Sequence, residues 1–291
     1  MTERLGTNGL ANGMKQFYSR KLLDRTIPNF VHARKEWAVT DGIPKNGGRS
    51  VEFRRYTRPS AATTALTEGT PPAVTNLTVE TVAVTVDQYG AFNRYSEVLD
   101  LQNYDPYLAQ VTEVFAEQMA ETIDTIVRNV MTGGTTIQYA SVASTRGGAS
   151  GVGSGMIINY AEIREMVRTL RVNNAKPFMV DGQERYIGII SPYTEEDMFA
   201  DADINAAMLH AAPRSENNPL FIGKVNDFHG VRWVQTQLAR IQTSLGLSNM
   251  NVQQTLIFGQ GYYGMVDYDA MRPGIIVHPP GSSGISDPLN Q

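Results

Sequence analysis

The chain has 291 residues, of which 42% are hydrophobic and 19% are charged, with a formal net charge of −4 at pH 7. The length suffices for one large domain or two ordinary ones, and the composition allows a substantial core. The acidic balance excludes an overall basic field for nucleic acid, and the lack of cysteine excludes disulfides, thiol nucleophiles and cysteine metal sites. We find no apolar signal-peptide core in the first ten residues and no window near the ~18 apolar residues of a membrane helix.

The first part of the chain is predicted to be largely extended. Residues 1–12 form a loose arm, and Met14 to Leu23 favour a short helix. The chain is then expected to run extended past Trp37 to a turn at Ile43–Gly48, where Pro, Asn and Gly follow one another.

A long hairpin is predicted next. Val51 to Tyr56 alternates apolar and charged residues, and Val79 to Val86 is rich in β-branched residues. The connector from Pro59 to Asn76 is almost entirely Ala, Thr, Pro and Gly, so it has little to bury and is far longer than a usual hairpin loop. By composition it is either a disordered loop or an arm that lies on another subunit.

The longest helical signal of the chain runs from Asp105 to Gly133. Asp105 and Pro106 are typical of a helix start, and Gly133 of a helix end. We expect one apolar stripe to pack inward along this spine helix and a polar face to lie outward. The stripe comprises Leu108, Val111, Phe115, Met119, Ile123, Ile126 and Val130, and the polar face comprises Gln110, Glu113, Glu117, Glu121, Asp124 and Arg128.

Helices and strands alternate in the rest of the chain, which predicts an α+β fold with a subdomain from about 156 to 253. A Gly/Ser linker is expected at 146–155, and the strand signals end at Val277. The predicted elements are a strand at Thr135–Ser144, a helix at Tyr160–Val172 capped by Asn159, a strand at Tyr186–Ile190, a helix opened by Pro192, two strands in Val225–Gln235 about the turn His229-Gly230, and strands at Thr255–Phe258 and Ile275–Val277.

No motif indicates catalysis, a cofactor or a metal. The sequence Gly259-Gln260-Gly261-Tyr262-Tyr263-Gly264 matches a dinucleotide fingerprint, but Pro273 follows too soon for the required helix, so a tight turn is expected. The four histidines lie far apart and are interpreted as turn or surface residues. Glu195, Glu196 and Asp197 occupy a helix's first turn, where the dipole favours acid.

One local charge bias is notable. Arg49, Arg54, Arg55 and Arg58 face a lone Glu52 in the first hairpin strand. This row is a solvated strand, a phosphate contact, or a contact with an acidic surface of a neighbouring subunit. Arginine suits bidentate pairing with carboxylates, and the negative net charge favours a protein partner. The candidate inter-subunit residues are Arg54, Arg55 and Arg58, together with Glu68, Glu113, Glu117 and Glu121.

An ordered set of short motifs resembles the major capsid proteins of tailed bacteriophages, of the podophage type with the Hong Kong 97 fold. The set covers roughly residues 30 to 291. Its members are Phe53-Arg54-Arg55-Tyr56, Leu66-Thr67-Glu68-Gly69, Gln88-Tyr89-Gly90, Asp105-Pro106, Ala120-Glu121-Thr122, Phe258-Gly259 and Ser286-Asp287-Pro288-Leu289-Asn290-Gln291.

The resemblance implies a Hong Kong 97-type organisation. It comprises an N-terminal arm at 1–48, an extended hairpin called the E-loop at 49–89, and a peripheral domain at 90–155 with the spine helix at 105–132. An axial domain at 156–253 and a return to the peripheral domain at 254–291 complete it. The hairpin would then lie across the adjacent subunit.

The function implied is that of a non-enzymatic shell subunit without cofactors. Hexamers and pentamers would form an icosahedral shell around double-stranded DNA, with a scaffolding protein, a portal and a cement protein as partners. The shell would be assembled in the host cytoplasm, without a membrane and without sequence-specific DNA binding. A nanocompartment shell of the same fold, similar to an encapsulin, and a soluble α+β enzyme are the alternatives.

Some shells of this fold join subunits by an isopeptide bond from an arm lysine. The lysines here are at positions 15, 21, 35, 45, 176 and 224, so none lies between Arg49 and Tyr89. Arginine cannot replace lysine in this chemistry because it stays protonated. The sequence therefore predicts a shell held by non-covalent contacts.

Overall fold

The computed structural model describes residues 28, 30–69, 71–93, 102, 107–140, 143–145, 151–153, 155–211 and 227–268. The chain forms two compact units. The first comprises Met1–Ile27, Asn93–Val114 and His278–Gln291; the second comprises Pro28–Phe92 and Phe115–Val277. In the first unit, the Asn93 amide donates a hydrogen bond to the Tyr107 hydroxyl over 2.8 Å. The remaining description concerns the second unit and the long helix.

The described residues contain four α-helices and eleven strands, and a short 3₁₀ turn at Leu247–Asn249. The α+β prediction is therefore confirmed. The helices are α1 (Tyr107–Met131), α2 (Tyr160–Val172), α3 (Pro192–Ala200) and α4 (Ala202–Ala211). The strands are β1 (Val39–Ile43), β2 (Ser50–Tyr56), β3 (Val79–Thr85), β4 (Phe178–Val180), β5 (Gln183–Ile190), β6 (Asp227–Phe228), β7 (Val231–Gln235), β8 (Ile241–Gln242), β9 (Val252–Gln253), β10 (Leu256–Phe258) and β11 (Gly264–Tyr268).

The central sheet is mixed, with the strand order β10-β5-β7-β6 and β4 also paired to β5. Strands β5 and β7 are parallel, whereas β10 and β6 are antiparallel to their neighbours. His229 and Gly230 join β6 to β7 with φ of 50° and 75°, as a two-residue hairpin turn requires. Three further two-stranded sheets are β1–β11, β2–β3 and β8–β9.

Strand β5 is apolar on both faces because it separates two cores. Its Tyr186 and Ile190 pack on one side with Ile163 and Val167 of α2, Met198 of α3, Ile204 of α4, and Val231 and Trp233 of β7. Its Ile187 and Ile189 pack on the other side with Val31, Trp37, Met131, Phe258 and Tyr263. A strand covered on both faces reads as a continuous apolar run, which is why the sequence revealed this one clearly.

Helix ends follow the predicted signals where they are described. The Asn159 side chain accepts a hydrogen bond from the Glu162 N–H over 2.9 Å and caps α2. The Ser191 hydroxyl accepts from the Thr194 N–H over 3.1 Å, and Pro192 opens α3. Helix α1 ends at Met131, and the Gly133 N–H donates to the Val130 carbonyl over 3.0 Å.

The predicted orientation of the spine helix is wrong. Only Asp124 and Met131 are buried in α1, although Asp124 was expected on the outer polar face. The expected inward stripe is half-buried or exposed, and the Val130 side chain is 69% exposed. An apolar stripe identifies a face that avoids water, but it cannot say whether the same chain or another molecule covers it.

A buried pair between His32 and Asp124 fixes this orientation. The Asp124 carboxylate accepts hydrogen bonds from His32 Nδ1 at 2.8 Å and from the Ala33 N–H at 3.0 Å. Both side chains are almost fully buried, so the prediction of a surface or turn histidine is wrong for His32.

The Tyr263 hydroxyl donates to the carbonyls of His32 and Arg34 over 3.0 and 3.1 Å. Burial, with Asp124 and Glu36 nearby, raises the pKa of Tyr263 to about 12, so it stays a donor.

A further prediction is corrected, and others fall outside the described residues. No strand forms in the described residues of Thr135–Ser144, and residues 135–138 are exposed, so these side chains do not pack on a sheet. The predicted helix at Met14–Leu23, the cap at Asp105-Pro106, the strand at Ile275–Val277 and His278 lie outside the described residues. Among the helices that the structure describes, none has the length and apolar character needed to cross a bilayer.

We predict that Asp124→Ala lowers the free energy of unfolding by about 3–5 kcal/mol, since it leaves His32 and the Ala33 N–H without a partner in the core. Urea unfolding of the unassembled subunit measures this. Glu121→Ala, an exposed change one turn away, is the control and should stay within about 0.5 kcal/mol. Equal effects of the two variants would contradict the role of the buried pair.

The pH dependence of stability follows from the same pair. Burial raises the pKa of Asp124, but the hydrogen bonds from His32 and Ala33 outweigh it, and the net pKa lies below the ordinary value. A lowered folded-state pKa gives stability that is present above the ordinary aspartate pKa of about 3.9 and is lost as the pH falls below it. Acid unfolding of the parent should show this loss and Asp124→Asn should reduce it; identical acid profiles would contradict the assignment.

Candidate assembly surface

The β2–β3 hairpin is a regular antiparallel ladder. Its register pairs Ser50 with Thr85 and Tyr56 with Val79, with the five pairs between them in step. Two backbone hydrogen bonds extend it, from the Thr57 N–H to the Thr78 carbonyl over 2.9 Å and from the Val86 N–H to the Arg49 carbonyl over 3.0 Å. The predicted hairpin strands are therefore confirmed.

The root of this hairpin is packed. Val51, Phe53 and Val84 lie on one face and are half-buried. The Phe53 ring lies against Gly264 of β11, where an added Cβ would sit 3.2 Å from two ring carbons. A glycine at this position lets the aromatic ring approach the backbone closely, which positions the base of the hairpin on β11.

Beyond its root the hairpin makes no such contacts. Every described residue from 54 to 83 is exposed to solvent. Several of these are large and apolar, and Val74 is 88% exposed. The exposed apolar members are Tyr56, Leu66, Val74, Leu77, Val79 and Val82. So much apolar surface on a segment without its own core is typical of a surface that another molecule covers.

The arginine row of the hairpin is largely paired within the hairpin. Arg49 pairs with Asp87, and Arg55 pairs with Glu80 on the opposite strand. Arg54 lies 3.5 Å from Glu52. In the described part of the chain Arg58 has no carboxylate partner, and Glu68 in the connector has no cationic one. Sequence reasoning missed Glu80 and Asp87 because only the strand register places them beside the arginines.

The three glutamates of α1 differ in their environments. Glu113 and Glu121 are exposed, whereas Glu117 is half-buried. Asp124, which follows on the same side of the helix, is fully buried. The acidic face is therefore not uniformly outward, since Asp124 lies in the core whereas Glu121, one turn earlier, is exposed.

The described residues offer little for catalysis or metal binding. No group of three or more His, Asp or Glu side chains among them could hold a metal ion. The Gly259–Gly264 segment is a turn between β10 and β11, as expected, and it leads into a strand rather than a helix. Gly259 packs tightly there, since an added Cβ would meet the Lys176 carbonyl at 2.4 Å.

The sequence and the fold each match capsid proteins. A family model described as "Phage capsid protein" matches residues 79–280, more than half of the chain. The fold is similar to the capsid of cyanophage P-SCSP1u (14% identity, TM-score 0.62, 90% of this chain and 81% of that chain). It is also similar to the capsid of Ralstonia phage GP4 (14% identity, TM-score 0.59, 90% of this chain and 83% of that chain). A third similar structure is that of Mycobacterium phage Che8 (15% identity, TM-score 0.58, 85% of this chain and 80% of that chain).

No curated protein matches the sequence. At these identities the solved structures show the fold alone, and the family match carries the assignment. The resemblance of the short motifs to capsid proteins is thus confirmed. The chain belongs to the phage capsid protein family, has the Hong Kong 97-type fold, and is a major capsid protein that forms the shell.

Proposed function

We propose that the chain assembles into hexamers and pentamers of an icosahedral shell around double-stranded DNA, with the β2–β3 hairpin lying across a neighbouring subunit. The exposure of every described residue from 54 to 83 carries this proposal. An isolated subunit would leave the apolar hairpin side chains in water, whereas a repeated contact in a closed shell buries them in every copy.

The proposed organisation follows the domain bounds given above. The hairpin at 49–89 serves as the E-loop, residues 156–253 as the axial domain, and residues 90–155 with 254–291 as the peripheral domain. The net charge of −4 suits a shell that encloses DNA without binding a particular sequence. A scaffolding protein, a portal and a cement protein are the partners proposed, with assembly in the host cytoplasm and no catalytic role.

Deleting Ala61 to Ala73 should abolish closed shells while leaving a folded, soluble subunit. The described residues of this segment are exposed, so the free energy of unfolding should change by no more than about 0.5 kcal/mol. Electron microscopy of purified particles and urea unfolding measure the two effects. A variant that keeps the length but carries Gly and Ser throughout this segment is the control for apolar contacts, and it should also assemble poorly.

Normal particles from the deletion would overturn the role of the hairpin. Particles of the parent that enclose a cargo enzyme instead of DNA would support a nanocompartment shell.

The arginine row is proposed to contact carboxylates of a neighbouring subunit. Arg58 has no partner in the described part of the chain, and Arg54 and Arg55 are exposed with partners on their own hairpin. The proposed acceptors are Glu113, Glu117 and Glu121 of the neighbour's α1, and Glu68 adds an acidic contact from the hairpin. Each exposed pair is worth only ~0.2–1 kcal/mol, so several must act together.

Replacing Arg54, Arg55 and Arg58 by Gln together should raise the protein concentration needed for assembly by at least about threefold at low salt. The difference from the parent should shrink as salt screens the charges. Light scattering at several salt concentrations measures this. Lys45→Gln with Lys176→Gln, two exposed cations outside the hairpin, is the control. If the triple variant behaves as that control does, the pairing is wrong.

Mature particles boiled in denaturing detergent should release one band near 32.0 kDa. The hairpin has no lysine for an isopeptide bond and the chain has no cysteine for a disulfide. A ladder of covalent oligomers on the gel would contradict this expectation.

A further inference from the structure

A groove of 740 Å³ runs along the outer side of α2, next to the turn between β6 and β7. Ile163 and Val167 on the inner side of α2 pack in the core, so the opposite side of the helix faces outward. The groove is lined mainly by charged residues. They are Glu162, Arg164, Glu165, Arg168 and Arg171, and His229, Ala161, Val167 and Val172 complete the lining.

Three cationic or titratable groups meet in this groove. The Arg164 guanidinium lies 5.9 Å from the centre of the Tyr160 ring, and His229 packs edge-on against the same ring at 5.5 Å. Arg171 reaches the turn, with Nη2 3.6 Å from where a Cβ at Gly230 would be. Burial, then Arg171 and Arg164, lower the pKa of His229, which places both arginines near it.

Two of the three arginines of the groove have no carboxylate partner among the described residues. Arg168 pairs with Glu165 at 2.6 Å, and Glu162 accepts a hydrogen bond from Gln138. Within the part of the chain that the structure describes, neither Arg164 nor Arg171 pairs with a carboxylate. Two neighbouring guanidinium groups without a partner form a cationic surface.

Helix α3 carries a cluster of two carboxylates that could pair with such a cationic surface. Glu196 and Asp197 are consecutive, and neither has a cationic partner among the described residues. Burial, and then the charge of Glu196, raise the pKa of Asp197, so loss of solvent and the neighbouring carboxylate both disfavour its charged form.

The turn beside the cationic groove and the start of α3 lie at different ends of strand β5. The turn that holds His229 and Gly230 precedes β7 and so lies at the amino ends of the parallel strands β5 and β7. Helix α3 starts directly after the carboxyl end of β5, with Ser191 as its cap. The paired stretch of β5, from Tyr186 to Ile190, separates the two ends by roughly 15 Å at ~3.3 Å per residue.

We propose that the groove formed by Arg164, Arg171 and His229 receives Glu196 and Asp197 of a second copy of the chain. Neither arginine pairs with these carboxylates in the described part of one subunit, whereas two subunits placed head to tail can bring the two clusters together. A head-to-tail contact repeated from subunit to subunit forms a closed ring when the rotation between neighbours divides a full turn, as it does in a hexamer or a pentamer. This contact rests on the proposed assembly into hexamers and pentamers, and it would be one of the contacts within each ring.

A carboxylate partner fits the groove better than nucleic acid does. Arginine forms planar, two-point contacts with carboxylates, and α3 supplies two carboxylates that pair with no cation among the described residues. A DNA-binding surface needs a longer run of cations, whereas the flanking Arg168 is already neutralised by Glu165.

Charge reversal tests the contact. Arg164→Glu with Arg171→Glu, and separately Glu196→Arg with Asp197→Arg, should each raise the concentration needed for assembly at least about tenfold, because like charges then face each other. The variant with all four changes should regain most of the assembly of the parent, because the charges are complementary again. Light scattering and electron microscopy measure assembly, and urea unfolding of the subunits confirms that each variant is folded.

Mixing the two double variants shows whether the contact is between subunits. One double variant then carries two acidic surfaces and the other two cationic surfaces, so only unlike variants attract and the two must alternate around a ring. Six subunits can alternate in a closed ring, whereas five cannot. We therefore expect hexameric rings or sheets from the mixture without closed shells.

The matched control is Lys45→Glu with Lys176→Glu, which changes the net charge as much at exposed sites outside the groove. It should assemble as the parent does. Arg164→Gln with Arg171→Gln is a milder second variant and should also weaken assembly. If the groove variants assemble as the control does, if the fourfold variant fails to recover, or if the groove variants lose only packaged DNA, the inference is overturned. If the parent itself forms no shells, the proposed function falls instead.

Discussion

The buried carboxylate of Asp124 determines how the long helix α1 is set against the rest of the second unit. A carboxylate in the core is tolerated only when its charge is paired and hydrogen-bonded, and His32 with the Ala33 N–H supplies this. The helix must therefore turn Asp124 inward, and Tyr263 holds the segment of His32 in place from the other side. The apolar stripe of α1 alone would not favour this orientation of the helix, so the His32–Asp124 pair is the interaction that maintains it.

Turning Asp124 inward leaves apolar side chains of α1 facing outward. The same imbalance appears in the β2–β3 hairpin, whose root packs through Phe53 on Gly264 while the described side chains of its outer part are exposed. A stable monomer avoids large exposed apolar surfaces, whereas a shell subunit can bury them against its neighbours. These exposed surfaces are thus consistent with the family to which the chain belongs.

The charges of the chain follow a related pattern. Three of the four arginines of the hairpin form ion pairs with carboxylates of the hairpin itself, so that surface is only weakly cationic. On α2 and α3, the described residues form two clusters of opposite sign that make no ion pair with each other. Exposed pairs contribute little individually, and their effect becomes large only when symmetry repeats them around a closed particle.

Local sequence signals determined many elements of this protein. Asn159, Ser191 and Pro192 start helices because their chemistry satisfies or avoids the free N–H groups of a first turn. The turn at His229-Gly230 and the apolar run of β5 were equally clear, since each depends on residues close in the chain. The ordered capsid motifs gave the fold class and the family for the same reason, because they are themselves short stretches of sequence.

Only the tertiary structure decided which faces are buried and which charges are paired. Sequence reasoning placed Asp124 outside and the apolar stripe inside, since helical periodicity distinguishes two faces without naming what covers each. His32 lies 92 positions before Asp124, and Gly264 lies far beyond Phe53, so no local pattern could join either pair. Glu80 came beside Arg55 through the hairpin register alone. Contacts between distant residues depend on the folded chain as a whole, and the sequence by itself fixes only what neighbouring residues can do.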